Sequence, residues 1–251
     1  TNTSYTLQGL NCDSSIIIDW ANITPQLFYN LYVWAYNDCG HSSVLHMNSH
    51  TLPCFVCGVD NLNFVYKGSQ VSYGTVIGKN GTCWLDRNLG ATAKATSRSH
   101  SASYGDLFQW GRLDDGHQNR SSSTTSSQSS SDNPGHAKFI SNGSSPSDWR
   151  NPQNNNLWQG VSGVNNPCPI GWRLPTYTEA NNERTSWSSS NYNGAISSPL
   201  KLPCAGNRHE STTNVTGTGS GGYYWTSTID GQYTRDLRFT SSEAIMGSYF
   251  R

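Results

Sequence analysis

Hydrophobic and polar positions alternate most regularly near the start of the chain. Between residues 27 and 36, Leu27, Tyr29, Leu31, Val33 and Ala35 share one face of an extended segment, with Phe28, Tyr32, Trp34 and Tyr36 opposite. That period of two predicts a β-strand. Tyr5 and Leu7 sit in a shorter alternating stretch closed by Gly9, and residues 16–20 form an apolar run. Residues 37–40 read as a turn and residues 43–51 as a returning strand. Residues 1–52 are therefore expected to be an all-β segment, and residues 53–60 a cysteine-containing linker.

From residue 61 to 251 the pattern changes. Short apolar alternations at 64–66, 71–73, 75–77 and 82–85 are cut by Gly68, Gly74 and Gly78, which predicts small antiparallel strands. Residues 104–111 are aromatic and glycine-bounded, with room for one helical turn. Apolar residues then become scarce between about 114 and 156, above all in 121–131. Such a run buries too little surface to order itself, so a long flexible or glycosylated loop is expected.

Order resumes at Asn166-Pro-Cys-Pro-Ile-Gly-Trp-Arg-Leu-Pro-Thr176. Prolines fix φ and Gly171 permits a turn, so this stretch reads as a rigid corner with Trp172 and Leu174 in the core and Cys168 as a staple. Thr176 followed by Glu179 has capping-box spacing, which predicts a helix from near Thr178 towards Trp187. Strands are expected at 200–204, 220–229, 236–240 and 244–250, with Asp230-Gly231 as a hairpin turn.

Composition narrows the setting. Charged residues are 13% of the chain and hydrophobic residues 34%, with 9 Trp and 13 Tyr, so the surface must be largely hydroxyl and amide and the core aromatic. This suits an extracellular β-rich protein. A net charge of +0 leaves no basic footprint for nucleic acid or an anionic membrane, and no apolar run reaches spanning length. The chain begins at Thr1 without a charged head and apolar stretch, and is expected to be a mature or excised form.

Seven cysteines (Cys12, Cys39, Cys54, Cys57, Cys83, Cys168 and Cys204) lie in turn-rich segments and are disulfide candidates in an oxidising compartment. The odd count leaves one thiol free, paired between molecules or deprived of a partner. Cys54 and Cys57 also have redox-pair spacing, and with Cys39, His46 and His50 could bind zinc; the composition favours structural disulfides over either. Sequons at Asn2, Asn22, Asn80, Asn119, Asn142 and Asn214 are candidate glycan sites.

Two resemblances add to this reading. Residues 3–10 and 29–38, with a Gly-Leu turn and a Tyr-x-Val-x-Ala strand, resemble the second half of a fibronectin type III domain. About fifty residues would make only a partial sandwich, whose bare edges imply packing or strand exchange. Four ordered blocks resemble the Fibrobacter succinogenes major paralogous domain, a secreted bacterial family related to the C-type-lectin-like fold. They are Cys83-Trp-Leu-Asp-Arg-Asn-Leu89, Cys168-Pro-Ile-Gly-Trp-Arg-Leu-Pro-Thr176, residues 200–206 and Gly221-Gly-Tyr-Tyr-Trp-Thr-Ser-Thr228. The resemblance implies an α+β C-type-lectin-like domain with short antiparallel strands and few helices, preceded by the partial sandwich. It also implies a further cysteine-bearing strand that this sequence does not contain, and hence a missing partner for Cys83 or Cys168.

Catalytic chemistry finds little support. The related formylglycine-generating enzymes need a reactive cysteine pair near the C-terminal end, and no cysteine follows Cys204. His117, His136 and His209 lie in polar loops, where histidines are usually solvated, and no Gly-x-Ser-x-Gly elbow frames a serine. Calcium-lectin motifs are absent; Asp86, Asp114 and Asp115 offer oxygens for a structural calcium, but adjacent loop acids are usually solvated. No cofactor or catalytic metal is expected. By position, the resemblance places ligand contacts at Tyr224, Asp230, Tyr233, Arg235, Asp236, Arg238, Glu243 and Tyr249.

The expectation is a non-enzymatic, secreted cell-surface protein for adhesion or assembly. Its subunits would associate head to tail into a filament by β-strand donation. The alternative is a receptor tip binding a glycan or protein through the terminal strands.

Overall fold

A computed structural model describes residues 55–142, 147–209, 211 and 213–250, together with the backbone of four strands nearer the start. The chain divides into two compact units, Thr1–Phe55 and Val56–Arg251.

In the first unit, β1 (Phe28–Val33) and β4 (Leu45–His50) pair antiparallel, with Phe28 opposite His50 and Val33 opposite Leu45. Between them β2 (Tyr36–Asn37) and β3 (Gly40–His41) pair across the expected turn. The expected stretches at Tyr5, Leu7 and residues 16–20 lie outside the described residues, as do Cys12, Cys39, Cys54, Asn2 and Asn22.

The second unit is mainly β, built from small antiparallel pairs with few helices. β5 (Leu62–Tyr66) and β6 (Ser69–Tyr73) form a hairpin whose two-residue turn, Lys67-Gly68, takes φ of 51° and 74°. Two successive positive values match the twist of the flanking strands, and glycine adopts one of them without strain. β7 (Thr75–Ile77) pairs with β8 (Cys83–Leu85), and β9 (Thr124–Thr125) lies parallel to β10 (Phe139–Ile140). Helices α1 (Tyr177–Thr185) and α2 (Tyr192–Ser197) follow, then β11 (Asn207–Arg208) with β12 (Val215–Thr216). The chain ends in a three-stranded meander of β13 (Gly222–Asp230), β14 (Tyr233–Phe239) and β15 (Ala244–Tyr249).

Helix α1 begins as its sequence predicts. Thr176 Oγ1 accepts the Glu179 amide hydrogen at 3.3 Å, and Glu179 Oε2 accepts that of Thr176 at 2.8 Å. This reciprocal cap satisfies two amides left over by the first turn.

The meander separates two cores. Residues paired across strands share a face, so Trp225, Asp236 and Gly247 lie on one side, and Tyr224, Leu237 and Met246 on the other. A bulge between Trp225 and Ile229 keeps both of these on the first side. There they meet Trp110, Ile140, Trp149, Leu157 and Trp158. The three fully buried indoles on this side have their N–H groups satisfied: Trp110 donates to the Thr226 carbonyl, Trp149 to that of Trp110 and Trp158 to that of Arg112. On the second side Leu237 and Phe239 pack with Ala195, Cys204 and Ala244.

Three expectations are corrected. Residues 200–204 form no strand, because the Leu202 amide donates to the Ala195 carbonyl and that of Cys204 to Arg98, away from any ladder. The described part of 114–156 is anchored, not flexible. Gln109 pairs with both backbone groups of Ile140, and buried Arg112 donates to the carbonyls of Lys138 and His136. Polar side chains from before the loop thus satisfy the edge of β10 that faces away from β9, and Ile140 and Trp149 are buried to 1% exposure. Finally, of the two cysteines expected to lack a partner, Cys83 is bonded to Cys57, closing the entry into the unit across 26 residues, and it is Cys168 that is unpaired. Cys168 and Cys204 are free thiols, so Cys168 does not staple the corner.

Candidate functional site

The predicted contact residues do not form one surface. Strand register puts Asp230, Tyr233 and Arg235 on the α1 side of the meander, and Asp236, Arg238 and Tyr249 on the other. Two of the eight face inward, Tyr224 partly buried and Asp236 fully so. Tyr224 stacks on Phe239 at 5.6 Å and its hydroxyl donates to the Pro203 carbonyl at 2.7 Å; burial raises its pKa well above that of free tyrosine. Asp236 is buried at 3% exposure, and burial raises its pKa although Arg238 holds it by two hydrogen bonds of 2.6 and 3.0 Å.

On the α1 side, Arg235 bonds Asp230 at 3.1 Å and Ser248 Oγ at 2.9 Å and lies over the Tyr177 ring. Tyr233 rests beside Phe250, with ring centroids 5.0 Å apart. Glu243 is exposed in the final turn, where its carbonyl accepts the Thr240 amide hydrogen.

On the opposite face a tighter cluster forms. The Arg238 guanidinium lies 5.0 Å from the Tyr249 ring centre and also donates to the Ser248 carbonyl. Its register neighbours Tyr223 and Ile245 are 37% and 41% exposed. Tyr249 in turn approaches Trp225 and His209, at 6.4 and 6.3 Å. Tyr223 and Ile245 are absent from the predicted set because position-by-position analogy ignores register. Alternation from Tyr223 to Trp225 was the available signal for that face.

Behind the cluster lies a cavity of about 320 Å³, whose lining includes Tyr223, Trp225, Tyr249, Phe108, Leu174 and Glu183. Its polar groups are mostly engaged. Asp86 is held by Arg87 at 2.7 and 3.0 Å, and Asp106 by the Tyr66 hydroxyl and Lys67.

The nucleophile and base candidates are similarly occupied. Burial pushes the Cys168 thiol up to about 12 and raises that of Cys204, so both stay protonated and unreactive at neutral pH. His117 is fully buried, not solvated as expected from its loop. Its Nε2 accepts the Gln109 amide hydrogen at 3.0 Å and Nδ1 faces Asp115 at 2.6 Å. Burial lowers its pKa to about 4. Asp115 is thereby committed to His117 and Arg112, which leaves it unsuited to a hard cation. His209 Nδ1 closes a local turn with Ser211, and the His136 carbonyl serves Arg112.

Among the sequons, Asn80 and Asn214 are exposed; the Asn119 side chain is bonded to Gly116 and Lys67. No group of three or more metal-binding side chains occurs among the described residues, and no helix there is long and apolar enough to cross a membrane. Compared with family models, curated proteins and solved structures, the chain matches none.

Proposed function

We propose that the protein is a non-catalytic, secreted bacterial surface module for adhesion, built on a C-type-lectin-like domain, with its ligand face at the open end of the terminal meander. One observation carries the reading: Arg238 is fixed by Asp236 and Tyr249 between the exposed side chains of Tyr223 and Ile245. Tyrosine and arginine offer large contact area with polar tips, and an arginine already held in place loses little freedom on binding. The engaged histidines and protonated thiols support a binding role over turnover. A glycan and protein array tests it: Tyr223→Ala and Ile245→Ala should each weaken the bound ligand about tenfold. Undiminished binding by both variants would remove this face from consideration.

A second reading concerns assembly. Within the described residues β1 and β4 pair with each other alone, and a strand edge without a neighbour can accept a further strand. Strand donation from a neighbouring subunit would join copies head to tail into an extracellular filament. Negative-stain images of concentrated protein showing monomers alone would exclude it.

A further inference from the structure

Lys67 Nζ lies 2.6 Å from Asp106 Oδ2 and 2.5 Å from the side-chain carbonyl oxygen of Asn119. Among the described lysines it alone meets a carboxylate and a side-chain amide together. Lys67 stands in the turn between β5 and β6, and Asn119 follows 52 residues later in the polar loop. The partners are held in place. The Tyr66 hydroxyl donates to Asp106 Oδ2 at 2.8 Å, and Gly90 approaches so closely that a Cβ there would fall 2.3 Å from the same oxygen. Asn119 Nδ2 donates to the Gly116 carbonyl at 3.0 Å, which turns the amide oxygen towards Lys67. The Asp106 side chain is 9% exposed and that of Lys67 34%.

As an ion pair near the surface this contact contributes little to stability. As chemistry it is more complete, because a nucleophile, an electrophile and a proton carrier meet at one point. A C=O bond is about 1.2 Å long, so Asn119 Cγ lies no further than about 3.7 Å from Nζ, close to the roughly 3.5 Å of a near-attack arrangement. We infer that Lys67 and Asn119 join through an isopeptide bond, with Asp106 carrying the protons. The Lys67 ammonium first passes a proton to Asp106, and the neutral amine attacks Asn119 Cγ, forming the new N–C bond as the C=O electrons move onto oxygen. Asp106 then gives its proton to Nδ2 and takes one from the attacking nitrogen. The C=O bond re-forms, the Cγ–Nδ2 bond breaks, and ammonia leaves with the proton that Asp106 holds. Overall a lysine ammonium and an asparagine amide give one secondary amide and one ammonium ion, so no co-reactant is needed. A depression lined by Gly90, Asp106 and Asn119 opens to solvent for its departure. The step occurs once per molecule, so a slow rate suffices. The inference does not rest on the adhesive reading, because it concerns the β5–β6 turn and the polar loop, away from Tyr223 and Ile245.

Mass spectrometry of the reduced full chain tests it. The wild type should fall about 17 Da below its sequence mass, the loss of one ammonia, and a peptide map should show the Lys67 peptide joined to the Asn119 peptide. Lys67→Arg and Asn119→Ala, both at exposed positions, should each match their own sequence mass and migrate more slowly than the wild type on a reducing, denaturing gel. Asp106→Asn should lack the link as well. If that variant fails to fold, the joined peptide and the two exposed-site variants decide. A loss that persists in Lys67→Arg belongs to a cyclised asparagine and overturns the proposal. So does a folded wild type at full sequence mass, or a glycan on Asn119, which occupies the same nitrogen. Tyr223→Ala should weaken the array ligand and leave the mass loss unchanged, so the two readings fail separately.

Discussion

His117 and Asp115 share a short contact, Nδ1 to Oδ1 at 2.6 Å, in a place where the imidazole has no access to water. Because Nε2 accepts the Gln109 amide hydrogen, the ring proton sits on Nδ1 and points at Asp115. The native ring therefore stays neutral down to about pH 4, whereas an unfolded histidine gains its proton near 6.5. Between those values the unfolded chain binds more protons, so stability falls as pH falls. The loss amounts to about 3 kcal/mol across the window. Denaturant titrations from pH 7 to 4 should show this slope, and His117→Gln should flatten it.

Gly222 and Phe239 set a steric limit on the meander. They are paired across β13 and β14, and a Cβ on Gly222 would fall 2.1 Å from the Phe239 ring, which is fully buried. Neither the ring nor the paired backbone has room to move, so Gly222→Ala should destabilise the unit by about 3 kcal/mol. Thermal melts check this, and Phe239→Leu in the same chain should recover part of the loss.

The Cys57–Cys83 bond fixes the entrance of the unit to β8. Replacing both cysteines with serine should cost about 3 kcal/mol, mainly by freeing the unfolded chain. Melts of the oxidised protein with and without reductant should differ in the same sense, and reductant should shift the double variant less than the wild type.

Much of this architecture is legible in the sequence wherever local chemistry decides. Thr176 and Glu179 announce α1 because their bonds are made within one turn, and β5, β6, β13 and β14 follow from alternation between turn residues. What failed depends on distant partners. The polar loop is ordered by Gln109 and Arg112, whose burial no local composition reveals. Short α2 starts on an Asn191 cap and carries a mid-helix glycine, Gly194, at a position where the Ser189 carbonyl leaves no room for a side chain. The terminal meander shows the same split: residue types are readable, but the side of the sheet each occupies requires the register.

The α1 cap gives a further test. Thr176→Ala should cost about 1 kcal/mol, the usual worth of an N-cap side chain. Its partner Glu179 is held down to about 2 by hydrogen bonds from Arg173, with Thr176 helping. A depressed carboxylate contributes fully above its ordinary value near 4.5 and loses that contribution as pH falls towards 2. Glu179→Gln should therefore lower stability at pH 7 and matter little at pH 2, as urea titrations at the two values would show.

The Asp236–Arg238 pair allows structure and binding to be separated at the outer face. Asp236 is 3% exposed, so removing Arg238 strands a buried carboxylate and should cost about 3 kcal/mol. Asp236→Ala in the same chain removes the stranded charge, so Arg238→Ala with Asp236→Ala should be more stable than Arg238→Ala alone. The coupling from the completed double-mutant cycle should fall between about 1 and 3 kcal/mol. If Arg238 also contacts ligand, the double variant will regain stability without regaining binding. Recovery of both together would assign Arg238 a purely structural role.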